Sequence, residues 1–327
     1  MNNTPTWLKS TSRFTQGYLI CITSTVLWSS TAVFIRYLND AYHLPSLVLA
    51  FWRDAFVFVA LATVFALTGR ARLRMERSHL RFLILYGFVL AIFNSLWTVS
   101  VAFNGAGVST VLAYSSAAFT AVLGWRLFGE RLGPVKVLAV LFSILGCAFV
   151  SGALDRSAWL VNPLGIITGL LSGMAFAAYS LMGKASSERG INPWTTLLYT
   201  FGFAALFLLA INLLPGWLPG AGKPPSMFWL GGALAGWAVL AVLAIGPTIG
   251  GYGLYTVSLT YLPASVANLI ATLEPAMTAL LAYLFLSERF TNPQLLGSFM
   301  ILSGVLLLRL SEGRMPDSHR ESTVVSA

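Results

Sequence analysis

Long runs of apolar residues, separated by short polar segments, occupy most of the chain. A membrane-spanning helix needs roughly 20 predominantly apolar residues, and ten runs are long enough. They cover approximately 17–38, 46–68, 80–103, 107–128, 134–152, 161–184, 194–214, 238–261, 263–286 and 292–311. The eighth run is interrupted by Gly246-Pro247, and we interpret it as one span preceded by an interfacial lead-in over 228–237. The pattern predicts an all-α integral membrane protein with ten transmembrane helices.

The second half of the chain repeats the pattern of the first. Residues 123–133 read LGWRLFGERLG and residues 281–291 read LAYLFLSERFT, so both end an apolar segment at a Glu-Arg pair. At the same offset of 158 positions, Gly146 aligns with Gly304. Each half has five spans, an odd number, so the second half enters the membrane from the opposite side. Two inverted-topology repeats around a central cavity near the midplane are typical of secondary transporters.

This organisation defines four regions and an orientation. We predict a cytoplasmic N-terminal tail over 1–16, a first five-helix repeat over 17–152, a second, inverted repeat over 161–311, and a disordered cytoplasmic tail over 312–327. Fifteen Lys and Arg residues fall on the side of the N-terminus and four on the other. Because cytoplasmic loops are enriched in Lys and Arg, both termini are predicted to face the cytoplasm of a bacterial inner membrane.

Composition supports the membrane interpretation and excludes several classes of protein. The 327 residues are 57% hydrophobic and 9% charged, whereas soluble domains are about 25% charged. The net charge of +9 does not indicate nucleic-acid binding, because the charges lie at the ends of spans. No His, Cys and Asp cluster has metal-ligand spacing, so no metal or cofactor is expected. The expected partners are the lipid bilayer and a small-molecule substrate, and the sequence leaves a monomer and a homodimer both open.

Two positions carry ionisable groups inside the predicted spans, where each costs several kcal/mol and needs a reason. Glu274 lies near the middle of the ninth span, just before Pro275, which would free a backbone carbonyl in a helix interior. Glu274 therefore either contacts substrate, carries a coupling proton or pairs with another protein group. Arg53 and Asp54 are adjacent on the second span, and we expect them not to bond each other. Arg53 is interpreted as an anchor near a membrane interface rather than a clamp for a substrate carboxylate.

Aromatic and polar residues follow one face of the third span. Tyr86, Asn94 and Trp97 recur at helical spacing, and the offset of 158 aligns Asn94 with Tyr252 and Trp97 with Tyr255. Further candidates of the same polar-aromatic kind are Trp28 on the first span and Tyr179 on the sixth. Such stripes often serve only packing, but these residues lie well inside their spans. Gathered between the halves, they predict an aromatic pocket for a small amphipathic solute.

Two stretches resemble the EamA-like members of the drug/metabolite transporter superfamily. They are WSSTAVFIRYL with HLPSLVLAFWRDA near the start and YLPASVANLIATLEPAMTALLAYLFLSERFTNPQLLGSFMILSGVLLL near the end. The resemblance covers nearly all of 17–311. It implies a ten-helix inverted repeat with spans 1–4 and 6–9 around a central cavity and spans 5 and 10 at the periphery. Within that family the chain is most similar to bacterial aromatic amino-acid exporters.

The resulting functional hypothesis is an exporter of small neutral or aromatic amino acids and related metabolites that works by alternating access. A broad-specificity drug/metabolite efflux protein on the same fold is the alternative, because an aromatic pocket also suits organic cations. An intramembrane enzyme would need paired carboxylates or His near a membrane face with a substrate-binding loop, and the longest inner loop, GRARLRMERSHLR, has Arg where such chemistry needs Asp. An ion channel would need a filter motif, and none is present.

Overall fold

The computed structural model describes residues 6–153, 163–214, 224–286 and 291–313. Every element in this part of the chain is helical. The first half contains α1 (Thr6–Ser29), α2 (Thr31–Tyr42), α3 (Ser46–Thr68), α4 (Arg77–Tyr114), α5 (Ser116–Phe128) and α6 (Pro134–Val150). The second half contains α7 (Pro163–Glu188), α8 (Pro193–Leu213), α9 (Leu234–Leu243), α10 (Gly250–Ser258), α11 (Ala264–Ala271), α12 (Glu274–Leu286) and α13 (Asn292–Gly313). Short 3-10 turns precede α4 and α9.

The predicted spans correspond to these helices. Eight stretches of the described chain are long and apolar enough to cross a membrane, the shorter apolar α6 adds a ninth, and α11 with α12 completes ten. The eighth span is one element, Leu234–Ser258, as predicted, with a π-helical turn over Ala244–Ile249. A π-turn around Pro247 keeps the chain helical across a residue that lacks a backbone donor. At the N-terminus the structure differs, because α1 begins at Thr6 and not at 17.

The third and fourth spans are joined without a loop in α4. The hydroxyl of Ser100 donates to the hydroxyl of Ser109 over 2.8 Å, although nine positions separate them. In a straight helix these residues would lie about 13 Å apart along the axis. The chain therefore folds back between them while it remains helical, and two antiparallel spans result.

Two membrane helices are interrupted near their middle, at equivalent places in the two halves. Ser115 separates α4 from α5, and Thr272-Leu273 separates α11 from α12. At each interruption a hydroxyl donates to a carbonyl three residues back: Ser115 to Leu112 over 2.5 Å and Thr272 to Leu269 over 2.6 Å. Hydroxyls that bond their own backbone compete with the helical ladder. The first half is therefore interrupted without a proline.

The interruption corrects the predicted role of Pro275. This proline lies in the first turn of α12, where its missing N–H has no partner to lose, and not in a helix interior. Glu274, the first residue of α12, sits between the two half-helices. It thus lies about midway along the ninth span, between the start of α11 and the end of α12.

Close glycine contacts between α6 and α13 are equivalent in the two halves. α6 packs against α13, and a Cβ added at Gly146 would lie 2.7 Å from the carbonyl oxygen of Gly297. A Cβ added at Gly304 would lie 2.9 Å from the carbonyl oxygen of Ala139. The offset of 158 converts one contact into the other, since Gly146 aligns with Gly304 and Ala139 with Gly297. The repeat predicted from sequence is thus a symmetry of the packed structure.

Glycines also bring the halves together around the centre. A Cβ added at Gly173 of α7 would lie 2.8 Å from the carbonyl oxygen of Leu112, and α4 and α7 pack closely along their length. Small residues permit this approach where lipid provides no hydrophobic driving force between helices. The two cysteines, Cys21 and Cys147, are buried and free.

Candidate functional site

A cavity of about 120 Å³ lies between the two repeats. Its wall comes from both halves of the chain: Trp28, Thr31, Ile35, Arg53, Phe93, Asn94, Trp97, Thr110, Ala113, Tyr114, Phe176, Thr248, Tyr252 and Glu274. Most of these residues are apolar or aromatic, and a few polar groups are spaced among them. This is the composition of a small-molecule site.

Four of the seven predicted aromatic and amide residues are on the cavity wall: Trp28, Asn94, Trp97 and Tyr252. The indole of Trp28 packs edge-on against Tyr252 at 4.7 Å between ring centroids. It also meets Phe176, its partner at an offset of 148, at 6.1 Å. The equivalent positions Trp28 and Phe176 therefore face each other across the interface between the halves.

The other three, Tyr86, Tyr179 and Tyr255, pack behind the wall and do not line the cavity. Tyr86 and Tyr179 lie 4.8 Å apart between ring centroids. The hydroxyl of Tyr255 is 2.8 Å from that of Ser180, which also receives a hydrogen bond from Asn268. These tyrosines pack directly behind the residues that line the cavity. Helical spacing alone does not distinguish such residues from those on the cavity wall.

Arg53 and Asp54 form a closed network with Asn94, so the prediction that these neighbours do not bond is wrong. Nε of Arg53 donates to Oδ1 of Asp54 over 3.2 Å, and its Nη2 donates to Oδ1 of Asn94 over 3.2 Å. Nδ2 of Asn94 donates to Oδ2 of Asp54 over 3.3 Å. The long Arg53 side chain reaches back to its neighbour, and the amide from α4 closes the ring. Arg53 is thus a cavity residue and not an interfacial anchor.

Glu274 lies on the cavity wall and accepts a hydrogen bond at Oε2 from the hydroxyl of Tyr114. The bond joins the two interrupted helices, one from each half, at their interruptions. Tyr114 was not predicted from the sequence, because nothing in the pattern marks the residue before the interruption. Phe176 was within reach of prediction, since it aligns with Trp28 at an offset of 148.

Two polar atoms on the wall have no hydrogen-bond partner within the described residues. They are Nε1 of Trp28 and Oγ1 of Thr31, at the junction of α1 and α2. Buried polar groups are nearly always hydrogen-bonded, so these two atoms are exceptions in the part of the chain that the structure describes.

A second contact joins the two halves at the end of α5. Glu130, just after α5, accepts the backbone N–H of Ala264 over 2.9 Å and the hydroxyl of Ser265. Lys136 lies 3.6 Å from the same carboxylate. α5 has 13 residues, so this contact lies about 20 Å from the cavity. The aligned pair Glu288-Arg289 lies outside the described residues.

A cavity between two inverted helical repeats, lined by both, is the architecture of a membrane transporter. The sequence matches one known family twice: residues 15–152 and residues 163–310 each match the EamA-like transporter family. The chain belongs to this family, within the drug/metabolite transporter superfamily. The two matches coincide with the two repeats.

Individual relatives are also transporters. An uncharacterized transporter of Archaeoglobus fulgidus is 26% identical over 89% of this chain and 95% of its own length. The threonine/homoserine exporter RhtA of Escherichia coli is 29% identical over 71% of this chain and 72% of its own. An uncharacterized transporter of Synechocystis is 28% identical over 68% of this chain, which spans 64% of that protein.

A solved crystal structure shares the fold. It superposes with a TM-score of 0.73 over 92% of this chain and 98% of the other, at 16% sequence identity. The protein is therefore a multi-pass membrane transporter with the two-repeat fold of its family.

Proposed function

We propose that the protein is a secondary transporter that exports small neutral or aromatic amino acids and related metabolites across the bacterial inner membrane by alternating access. The observation that carries this proposal is the cavity of about 120 Å³ between the repeats, whose wall holds a guanidinium, a carboxylate and several aromatic rings. Rocking of one half against the other would expose it to each side in turn.

The size of the cavity favours a small solute. Sites for drug-sized ligands are roughly 300–1,000 Å³, and an apolar cavity of about 150 Å³ holds benzene. A small amino acid fits the volume of this cavity, and a larger aromatic one would need some opening of the wall. The relationship to proteins named threonine/homoserine exporters supports the same class of substrate.

Broad-specificity efflux of drugs or metabolites is the second candidate function. The aromatic rings around the cavity favour it, because their faces attract organic cations. Among the described residues only one carboxylate, that of Glu274, lies on the wall, and the wall also carries the guanidinium of Arg53. We therefore place this function second.

The test is flux through purified protein in liposomes. Uptake of labelled threonine, phenylalanine and a cationic dye is followed with and without a proton gradient. Trp97→Ala removes a ring from the cavity wall, and Trp125→Ala removes one that is exposed on the outer surface. We expect saturable amino-acid flux that Trp97→Ala weakens and Trp125→Ala does not. Dye flux without amino-acid flux would establish the second candidate instead.

A further inference from the structure

We propose that Arg53 and Glu274 form a two-point receptor for a zwitterion, with Arg53 binding the α-carboxylate of the solute and Glu274 its α-ammonium group. This inference rests on the proposed function and specifies how its substrate is recognised. Both side chains lie on the wall of the same cavity, one from each half of the chain. Each has hydrogen-bonding capacity that the described residues leave unused.

Arg53 is held in place by hydrogen bonds that use only some of its N–H donors. A guanidinium has five N–H donors, and hydrogen bonds to Asp54 and Asn94 use two of them. Asp54 is fully buried behind the wall, whereas Arg53 and Asn94 line the cavity. The remaining donors of Arg53 are the ones that a carboxylate in the cavity can reach. Charge-assisted pairing of this kind is frequently bidentate and strong.

Asp54 also accounts for the presence of a cation at this depth. An arginine inside a membrane is expensive unless it is paired, and the adjacent carboxylate neutralises it. The pair as a whole is neutral, and Asn94 fixes both partners in one geometry. The network therefore stabilises an anion-binding group without requiring an anion for folding.

Glu274, unlike Arg53, lacks an oppositely charged partner within the described residues. Oε2 accepts the hydroxyl of Tyr114, and Oε1 has no hydrogen-bond partner within the described chain. No Lys or Arg forms an ion pair with it in that part of the chain either. A buried carboxylate without a cation is costly, and a solute ammonium group is the cation that the cavity admits.

The cavity thus offers one cationic and one anionic contact beside an apolar, aromatic surface from Trp28, Phe93 and Phe176. An α-amino acid carries both charges on one carbon and its side chain on the same carbon. An amine leaves the free N–H donors of Arg53 unused, and a carboxylic acid leaves the carboxylate of Glu274 without a cation, so the site discriminates against both.

Competition against labelled phenylalanine in proteoliposomes tests the receptor. The competitors are phenethylamine, which lacks the carboxylate, and 3-phenylpropionate, which lacks the ammonium group. We expect each to compete at least about tenfold more weakly than unlabelled phenylalanine. Glu274→Gln should reduce phenylalanine transport about tenfold or more while competition by 3-phenylpropionate is retained or improved. The matched control, Glu76→Gln, alters an exposed carboxylate outside the spans.

The reciprocal variant removes the carboxylate contact. Because Arg53 alone cannot be removed without stranding Asp54, the variant is Arg53→Gln with Asp54→Asn, checked for monodispersity and thermal unfolding. It should lose phenylalanine transport and improve relative competition by phenethylamine. Equal losses for phenylalanine and both analogues in both variants would overturn the receptor. Absence of amino-acid flux in the unaltered protein would instead overturn the proposed function on which it rests.

Discussion

The carboxylate of Glu130 accepts the backbone N–H of Ala264 over 2.9 Å and so joins the end of α5 in one repeat to the start of α11 in the other. Gly129, at φ +65°, ends α5 in a left-handed residue and turns the chain so that Glu130 reaches across. A carboxylate at a helix N-terminus satisfies unpaired N–H groups and complements the helix dipole. The Glu130 side chain thus connects the end of α5 to the start of α11, and Lys136 adds a hydrogen bond to Ser265 at the same place.

Removing this connection should destabilise the packing of α5 against α11. Glu130→Ala deletes the acceptor for Ala264 and Ser265, and we expect a loss of about 1–3 kcal/mol in the free energy of unfolding. Unfolding in detergent measures it. Gly124→Val provides a second route, because its Cβ would lie 2.9 Å from the Glu130 carboxyl group. Unchanged stability in both variants would contradict the contact.

The Arg53, Asp54 and Asn94 network makes a prediction about charge. Asp54→Asn leaves Arg53 buried without a counter-charge, and we expect a loss of about 3–5 kcal/mol in stability. The double variant Arg53→Met with Asp54→Leu removes both charges and should recover much of that loss. Thermal or detergent unfolding of the two variants and the unaltered protein measures this, and a double variant no more stable than Asp54→Asn would contradict the pairing.

The contact between Gly251 and Trp28 should determine the volume of the cavity. A Cβ at Gly251 would collide with Cδ1 of the Trp28 indole, so Gly251→Ala displaces the ring. We expect phenylalanine flux to fall several-fold more than threonine flux. Gly246→Ala is the matched control, because no atom lies within 4 Å of its added Cβ. Equal loss for both amino acids would indicate general damage instead.

The symmetric packing of α6 on α13 should be intolerant of larger residues. The Cβ that Gly297→Val introduces would lie 2.5 Å from the carbonyl oxygen of Gly146. We expect a fall in thermal stability equivalent to about 1–3 kcal/mol. Gly133→Ala, in open space before α6, should leave stability unchanged. A stable Gly297→Val protein would show that α13 is free to move away from α6.

The architecture could be predicted from the sequence for two reasons. The length and order of the apolar runs determine the number of spans, and the offset of 158 positions shows that the second half repeats the first. The eighth span shows how one supports the other: alignment with 80–103 identified 238–261 as a single element despite Gly246-Pro247. The site was less accessible. Helical spacing identifies a face but not its rotation, so Tyr86 and Trp97 were predicted together although only Trp97 reaches the cavity.

Contacts across the fold account for the remaining differences. Arg53 bonds Asp54 because Asn94, 40 positions from Asp54, completes the ring, and no local rule includes that residue. The interruption at Ser115 has no proline to announce it, and serine is common in membrane helices. Tyr114 acquires its role from Glu274, 160 positions away.

The interruptions at Ser115 and at Thr272-Leu273 bear on the mechanical work of transport. Bending a continuous helix in lipid means breaking backbone hydrogen bonds, at several kcal/mol for each group left unsatisfied. Here the ladder is already discontinuous in both halves, at matching depth, so the outer segments can pivot on their inner ones without that expense. Each half therefore has a hinge point that is already present in the fold as it stands.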